Sequence, residues 1–335
     1  MSTLLSIVCP AYKEDSALPH FHAGLMSVLD CLSPEYDVEV IYADDGSPDG
    51  TLDVLRRLAA ADRRVRYLSL SRNFGHQAAL TAGLEHAQGD IVITMDADMQ
   101  HPPEVIPLLL EEWKRGADVV ITVREDDPTL KWTKRLSSRL FYRLMHWMSG
   151  TEVRPSAADF RLMTRSAVAA LLRLKETHRF IRGMVQWLGF PCREVRFAPR
   201  QRIAGESKYT FRKQLSLGLN GMFSFSKVPL RLPIYLGLIL AVLGVGCSMT
   251  AAVGSMLGTL TNPNLWILLA ALNLIGGTML MGLGVVGEYV GRIYEQVKER
   301  PAYFLKETGN ITSRICEAVP ERVSYSSKAD DRRAA

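Results

Sequence analysis

Asp96-Ala97-Asp98, followed by Gln100, closes the apolar run Ile91-Val92-Ile93-Thr94-Met95. Two carboxylates two residues apart at a strand end can converge on one hard cation, since oxygen ligands suit Mg²⁺ or Mn²⁺. Magnesium keeps several waters and completes its shell on a diphosphate. An isolated D-x-D is common in loops and says little by itself, but two further polar clusters accompany it. Pro10-Ala11-Tyr12-Lys13-Glu14 closes a first apolar run, and Asp44-Asp45-Gly46-Ser47-Pro48-Asp49-Gly50-Thr51 closes a second. Consecutive acids such as Asp44 and Asp45 suit a base or ribose, whose N–H and O–H groups they accept. Turn chemistry is also adequate for the second cluster, with Ser47 or Asp49 capping a helix that begins at Thr51.

The elements that must position these groups follow from periodicity. Leu4–Cys9, Val38–Ala43, Val65–Leu70, Ile91–Met95 and Val119–Val123 read as strands, and Leu52–Ala61, Ala78–Ala87 and Glu104–Arg115 have helical period. Strands alternating with helices predict an α/β fold, a Rossmann-like mostly parallel sheet with helices on both faces. Ligands of such sheets sit beyond the carboxyl ends of the strands. The polar clusters fall there, including Arg72–Gln77 and Arg124–Asp127.

The second half changes character. Lys131–Met148 sets Leu136, Leu140, Phe141, Leu144 and Trp147 on one helical face with Lys134, Arg135, Arg139 and Arg143 flanking it. Phe211–Arg231 is similarly amphipathic and basic. Such helices pack on a core with a solvated basic side, or lie in a headgroup layer. From Leu232 to Gly287 there is no Asp, Glu, Lys, Arg or His. Two membrane spans are expected, 232–257 and 265–287, each exceeding the roughly 20 residues a bilayer requires. The loop 258–264 is uncharged, whereas Lys227, Arg231, Arg292, Lys298 and Arg300 flank the pair, so both termini are expected in the cytoplasm. The predicted organisation is an α/β domain at 1–210 with an interface helix near 131–149, a juxtamembrane helix at 211–231, the two spans, and a cytoplasmic segment at 288–335 ending in a frayed tail. The glycines of the spans offer close-packing surfaces for a homo-oligomer.

The 335-residue chain has a net charge of +5, which suits an anionic membrane or phosphate ligands and is too weak to argue for nucleic acid. Its five cysteines are scattered without a C-x-x-C pair, so reduced thiols in a cytosolic setting are expected. The first apolar run lacks a preceding Lys or Arg and stops at Pro10, unlike a signal peptide.

Taken together, the three clusters resemble family 2 glycosyltransferases of the GT-A type. More stretches are similar to the polyprenyl-phosphate hexosyltransferase branch: Ser71-Arg72-Asn73-Phe74-Gly75-His76-Gln77, Met95–Gln100 with Pro102-Pro103-Glu104, Asp159-Phe160-Arg161-Leu162-Met163, His178-Arg179-Phe180-Ile181-Arg182-Gly183, and Arg202-Ile203-Ala204-Gly205-Glu206-Ser207-Lys208-Tyr209. That branch includes dolichol-phosphate mannose synthase, bacterial bactoprenol glucosyltransferases and the undecaprenyl-phosphate formamido-arabinose transferase. The resemblance runs from about residue 4 to residue 306. His101 departs from it, standing where the family often has Asp, which leaves the metal preference open.

The resemblance implies that Pro10, Tyr12, Glu14, Asp44 and Asp45 hold the nucleotide, while Asp96, Asp98 and Gln100 hold Mg²⁺ or Mn²⁺ on the donor diphosphate. Arg202 and Lys208 resemble a loop that closes over that diphosphate, and Arg124, Lys131 and Arg135 are candidates for the lipid phosphate. Asp159, by position, is the family's candidate base and joins Asp98 as a catalytic candidate; holding Arg161 or a neighbouring arginine is its alternative role. His76 is expected to cap or pack, and Asn73 and Gln77 to lie near the sugar. The acceptor, a phosphate monoester, is already largely anionic at neutral pH, so a strong base is less needed. The implied reaction is a single inversion moving a hexose from a nucleotide sugar, UDP-glucose in the first instance, to a polyprenyl phosphate at the bacterial inner membrane. A UDP-aminosugar such as UDP-formamido-arabinose, or GDP-mannose, is the alternative donor. A processive synthase would carry Q-x-x-R-W, and no Arg-Trp dipeptide occurs. A non-catalytic lipid-phosphate carrier would have no use for the acidic clusters.

Overall fold

The computed structural model describes residues 2–124, 157–177, 179–198 and 264–311, with scattered helical positions between 233 and 253. The elements are β1 (Thr3–Ala11), α1 (Leu18–Leu32), β2 (Tyr36–Asp44), α2 (Thr51–Ala61), β3 (Val65–Leu70), α3 (His76–His86), β4 (Ile91–Thr94), a 3₁₀ turn (Pro103–Val105), α4 (Ile106–Lys114), β5 (Val119–Arg124), β6 (Ala157–Thr164), α5 (Arg165–Arg173), α6 (Ile181–Trp187), β7 (Cys192–Phe197), α7 (Asn264–Val297) and β8 (Leu305–Gly309). Every expected strand and helix of the first 124 residues forms, and α1 joins them.

One eight-stranded sheet results, in the order β7-β5-β6-β4-β1-β2-β3-β8. Alternation along the strands divides the core. Leu5, Ile7 and Cys9 of β1, Val40 and Tyr42 of β2, and Ile91 and Ile93 of β4 face the layer with α1, α2 and α4. Val8, Ile41, Ala43 and Val92 face the layer with α3, α5 and α6. Nearly all of these side chains are fully buried, and each aliphatic one contributes roughly 1.5–3 kcal/mol of transfer free energy.

The sheet is more mixed than expected. β1 pairs in parallel with β2 and β4, β2 with β3, and β5 with β7. β6, however, runs antiparallel between β4 and β5, and β8 runs antiparallel along β3. The reversal at β6 places its first residues, Ala157–Asp159, at the edge where β1, β2, β4 and β5 end.

The C-terminal boundaries also differ from expectation. Residues 288–311 are not a separate segment: α7 continues to Val297, and β8 rejoins the sheet formed by the N-terminal strands. A domain confined to 1–210 is therefore corrected, because its edge strand comes from residues after the apolar helix. Leu274–Val297 is long and apolar enough to cross a membrane and is unburied, the one such helix among the described residues. The expected span 232–257 and the basic helices at 131–149 and 211–231 lie largely or wholly outside the described residues.

Candidate active site

The first three strands end in loops that are stitched together. The Asp45 N–H donates to the Ala11 carbonyl, Lys13 N–H to Ser47 Oγ at 3.1 Å, and Glu14 N–H to Thr51 Oγ1 at 3.0 Å. Pro10 is buried in β1, and Tyr12 is half-buried beside the Lys13 ammonium. Asp49 Oδ1 accepts from Thr51 N–H and Oγ1, so turn chemistry accounts for that residue. Asp44 is held inside the loop, accepting from Ser47 N–H at 3.0 Å and Ser69 Oγ at 2.9 Å. Asp45, 3% exposed, accepts from the Phe74 and Gly75 N–H groups at 2.7 and 3.0 Å. Those amides precede α3, where a negative charge meets the positive end of a helix. Burial raises the Asp45 pKa, opposed by the two amide bonds. Gly46, at φ +64°, lies against the Arg72 backbone; a Cβ there would come within 2.4 Å of the Arg72 carbonyl carbon. Only glycine tolerates both the left-handed backbone and that approach.

Asp96 leaves β4 between two histidines of opposite polarity. His76 Nε2 lies 2.8 Å from Asp96 Oδ1, while the Asp96 N–H donates to His101 Nδ1 at 2.9 Å. Burial pushes the Asp96 carboxyl up, but the hydrogen bond and charge of His76 oppose it and keep the carboxyl below its usual value. Burial pulls His76 down, yet the hydrogen bond and charge of Asp96 lift it to about 9. His101 is fully buried, stacked on Phe160 and edge-on to Phe197, and burial lowers its pKa. A neutral ring accepting at Nδ1 carries its proton on Nε2. That atom faces Arg124 Nη2 at 3.4 Å. Asp98 accepts from Gln100 N–H at 3.1 Å, across a turn with Met99 at φ +66°.

Asp159 is 5% exposed and bound by two guanidinium groups. Arg161, 2% exposed, donates to Oδ1 at 2.7 Å; Arg182 donates to Oδ1 at 2.9 Å and Oδ2 at 2.6 Å. Burial raises the carboxyl, but Arg182 and then Arg161 drive it well below the usual range. The geometry is that of the arginine-holding alternative. The Thr94 hydroxyl donates to the Asp159 carbonyl, tying β6 to β4 one residue before Met95-Asp96.

The donors available to a cation at Asp96 and Asp98 are carboxylate oxygens, one of them strongly ionised, which fits Mg²⁺ or Mn²⁺. Among the described residues no group of three or more His, Cys, Asp or Glu encloses an ion. The remaining ligands would come from elsewhere, as for an ion shared with a bound diphosphate.

The family model for glycosyl transferase family 2 matches residues 6–173, half of the chain. The chain belongs to this family. It is a GT-A glycosyltransferase. Its relatives extend the match over nearly the whole length: the SfII prophage-derived bactoprenol glucosyl transferase of Shigella flexneri is 39% identical over 308 residues, covering 91% of this chain and 98% of the relative. An uncharacterised glycosyltransferase of Synechocystis, sll0501, is 38% identical over 307 residues, covering 92% and 96%. Among solved structures, glucosyl-3-phosphoglycerate synthase from Mycobacterium tuberculosis covers 66% of this chain and 76% of its own at 16% identity, with a TM-score of 0.46.

In this glycosyltransferase, Asp44, Asp45, Asp96, Asp98, Arg124 and Asp159 share one sheet edge with the Pro10–Glu14 loop. Arg202, Lys208, Lys131 and Arg135 lie outside the described residues. Sequence reasoning gave Arg182 no role and expected His76 to cap or pack. Instead, His76 points Nε2 at Asp96 Oδ1, while the neighbouring Gln77 Oε1 accepts from Ile181 N–H at 3.2 Å. Only the start of α3 beside a strand-end carboxylate hinted at this, and that requires knowing that β3 and β4 flank β1 and β2 in space.

Proposed function

We propose that this glycosyltransferase moves a hexose, glucose from UDP-glucose in the first instance, onto a polyprenyl phosphate such as undecaprenyl phosphate at the cytoplasmic face of a bacterial inner membrane. The observation that carries this reading is the 39% identity to a protein named bactoprenol glucosyl transferase across 98% of that protein's length. The match runs beyond the family model's last residue, 173, into the half that holds α7 and β8. An unburied apolar helix of membrane-crossing length suits a lipid acceptor. On this reading a second span occupies 232–257, both termini are cytoplasmic, and the spans are available for self-association.

The residues divide the work along the sheet edge. Pro10, Tyr12, Glu14, Asp44 and Asp45 border the nucleotide, and Arg202 and Lys208 cover the diphosphate. Asp96, Asp98 and Gln100 would hold Mg²⁺ or Mn²⁺, which supplies charge neutralisation for a departing diphosphate when bound. His76 and His101 orient Asp96 from its carboxylate and backbone sides. Arg124, with Lys131 and Arg135, receives the acceptor phosphate. That phosphate is already anionic at neutral pH. Asp159, ionised between Arg161 and Arg182, is a weak base and serves to orient guanidinium groups at the acceptor side. Attack by the phosphate oxygen on the anomeric carbon breaks the bond to the nucleotide diphosphate and inverts the anomeric centre.

The test is incubation of the purified protein with undecaprenyl phosphate and a panel of labelled nucleotide sugars. Label from UDP-glucose in the lipid fraction is the expected result. Label from a UDP-aminosugar or GDP-mannose alone would replace the donor, and metal-dependent release of nucleotide unaffected by lipid would refute the acceptor.

A further inference from the structure

The chain leaves α7 and straps itself across the edge of the sheet. Near the end of α7, Gln296 accepts from Thr177 N–H at 2.8 Å and donates to the Lys175 carbonyl, joining the helix to the α5–α6 connection. Tyr303 then donates to Glu85 at 2.5 Å, and β8 pairs with β3. Glu307 is held by Arg56 at 2.6 Å and by the Tyr67 hydroxyl at 2.6 Å; Asn310 donates to the Ala59 and Val65 carbonyls at 2.7 and 2.9 Å. Gly309 is required at its place, since a Cβ there would lie 2.0 Å from the Tyr67 ring.

This strap reaches the loop that receives Asp45. Ser71 N–H donates to the Phe304 carbonyl at 2.8 Å, and the Phe304 ring lies 6.2 Å from that of Phe74, centre to centre. The Arg72 guanidinium lies over the Phe74 ring, 4.1 Å from its centre. Three and four residues after Ser71, the Phe74 and Gly75 amides are the donors to Asp45. The loop is thus gripped between the strap on one side and the Asp45-Gly46 turn on the other.

We infer that the strap following the apolar helix, Tyr303–Asn310, is a positioning element for the donor site: it holds the Ser71–Gly75 loop in the conformation that fixes Asp45. Docking of α7 and nucleotide affinity are therefore coupled. The inference rests on the proposed assignment of Asp45 to the nucleotide. Releasing the strap lowers the population of the binding-competent loop, and the apparent affinity falls by the same fraction.

The experiment uses the full-length protein in detergent, with UDP and Mn²⁺ as probe. Gly309→Val, clashing with Tyr67 some distance from the loop, is expected to weaken UDP binding by about tenfold, the effect of reducing the competent population to about one tenth. Turnover at saturating donor is expected to stay within about twofold, a KM effect that general loss of stability would not produce. UDP affinity unchanged in Gly309→Val, with β8 shown to be released by hydrogen exchange, overturns the inference. Hydrogen exchange on the unmodified protein tests it without a variant: UDP should slow exchange at Phe74 and Gly75 and along Leu305–Gly309 together, and protection confined to the loop overturns it. Asp45→Asn separates the two readings. If that variant binds UDP normally, the donor assignment is wrong and the strap inference falls with it; if only Gly309→Val binds normally, the strap alone is refuted.

Discussion

Replacing Asp159 with asparagine separates an organising carboxylate from a catalytic base. In the folded protein Asp159 is 5% exposed, between the wholly enclosed Arg161 and the partly exposed Arg182. Removing one partner of a buried ion pair costs about 3–5 kcal/mol, because the remaining charge stays desolvated. Asparagine keeps one oxygen to accept from an arginine, so the lower end, about 3 kcal/mol, is the working figure. For a domain of 150–250 residues each kcal/mol shifts Tm by about 2–4 °C, giving a drop of about 6–12 °C. Thermal unfolding in detergent, followed by intrinsic fluorescence, measures it, and transfer rates taken well below Tm accompany it. Arg182→Gln should lower transfer similarly, since the geometry makes the arginine and the acid one unit. A base would behave otherwise. Its loss costs about 10²–10⁴ in rate through proton transfer, with no need for a stability change. A Tm within 2 °C of the wild type (a change of under about 1 kcal/mol), together with a rate loss in that range and a near-normal Arg182→Gln, would refute the organising role.

Three further outcomes are expected. Asp96→Asn and Asp98→Asn should each reduce transfer by at least about 10²-fold and weaken Mn²⁺ binding in the presence of UDP, read by electron paramagnetic resonance, if oxygen charge at this turn holds the ion; chelation should abolish transfer and added Mg²⁺ or Mn²⁺ restore it. His76→Ala removes the donor to Asp96 Oδ1 and should raise the metal concentration needed for half-maximal rate by about tenfold, within the range for a residue orienting a metal ligand, with His76→Gln partly restoring it. Glu307 supplies a pH test: hydrogen bonds from Arg56 and Tyr67 lower its carboxyl to about 2, so its folded value lies below the unfolded one. Its stabilisation is then fully present above the unfolded carboxylate range and is lost as pH falls toward 2; Glu307→Gln should flatten the acid limb of a Tm-versus-pH curve, and an unchanged limb would refute the clamp.

The first 124 residues were legible because their strands are buried on both faces and read as continuous apolar runs bounded by turn residues. β6 was not. Its sequence, Ala-Ala-Asp-Phe-Arg-Leu-Met-Thr, carries two charges that look exposed, yet Asp159 and Arg161 neutralise each other inside the sheet. β7 has mostly exposed side chains, and β8 is short and polar, so neither displays a strand pattern. The pairing of β8 with β3 joins residues some 240 positions apart, a choice made by Glu307, Asn310 and Gly309 contacts that no local window contains. Within the site, the acidic clusters announced themselves by type and spacing. The histidines did not, because a ring in an aromatic stack such as His101 and a ring at a helix start such as His76 have ordinary structural readings until Asp96 is seen between them.

Because β8 is made after α7, synthesis and assembly are ordered. While the ribosome is still producing the apolar helix, β3 presents an open edge of unpaired N–H and C=O groups, the kind of edge that invites pairing with another chain. It is covered only when Leu305–Gly309 has emerged and folded back. The nascent domain therefore cannot complete its sheet before α7 and the strand after it have been made, and chains interrupted within α7 should be the ones that aggregate or meet quality-control proteases.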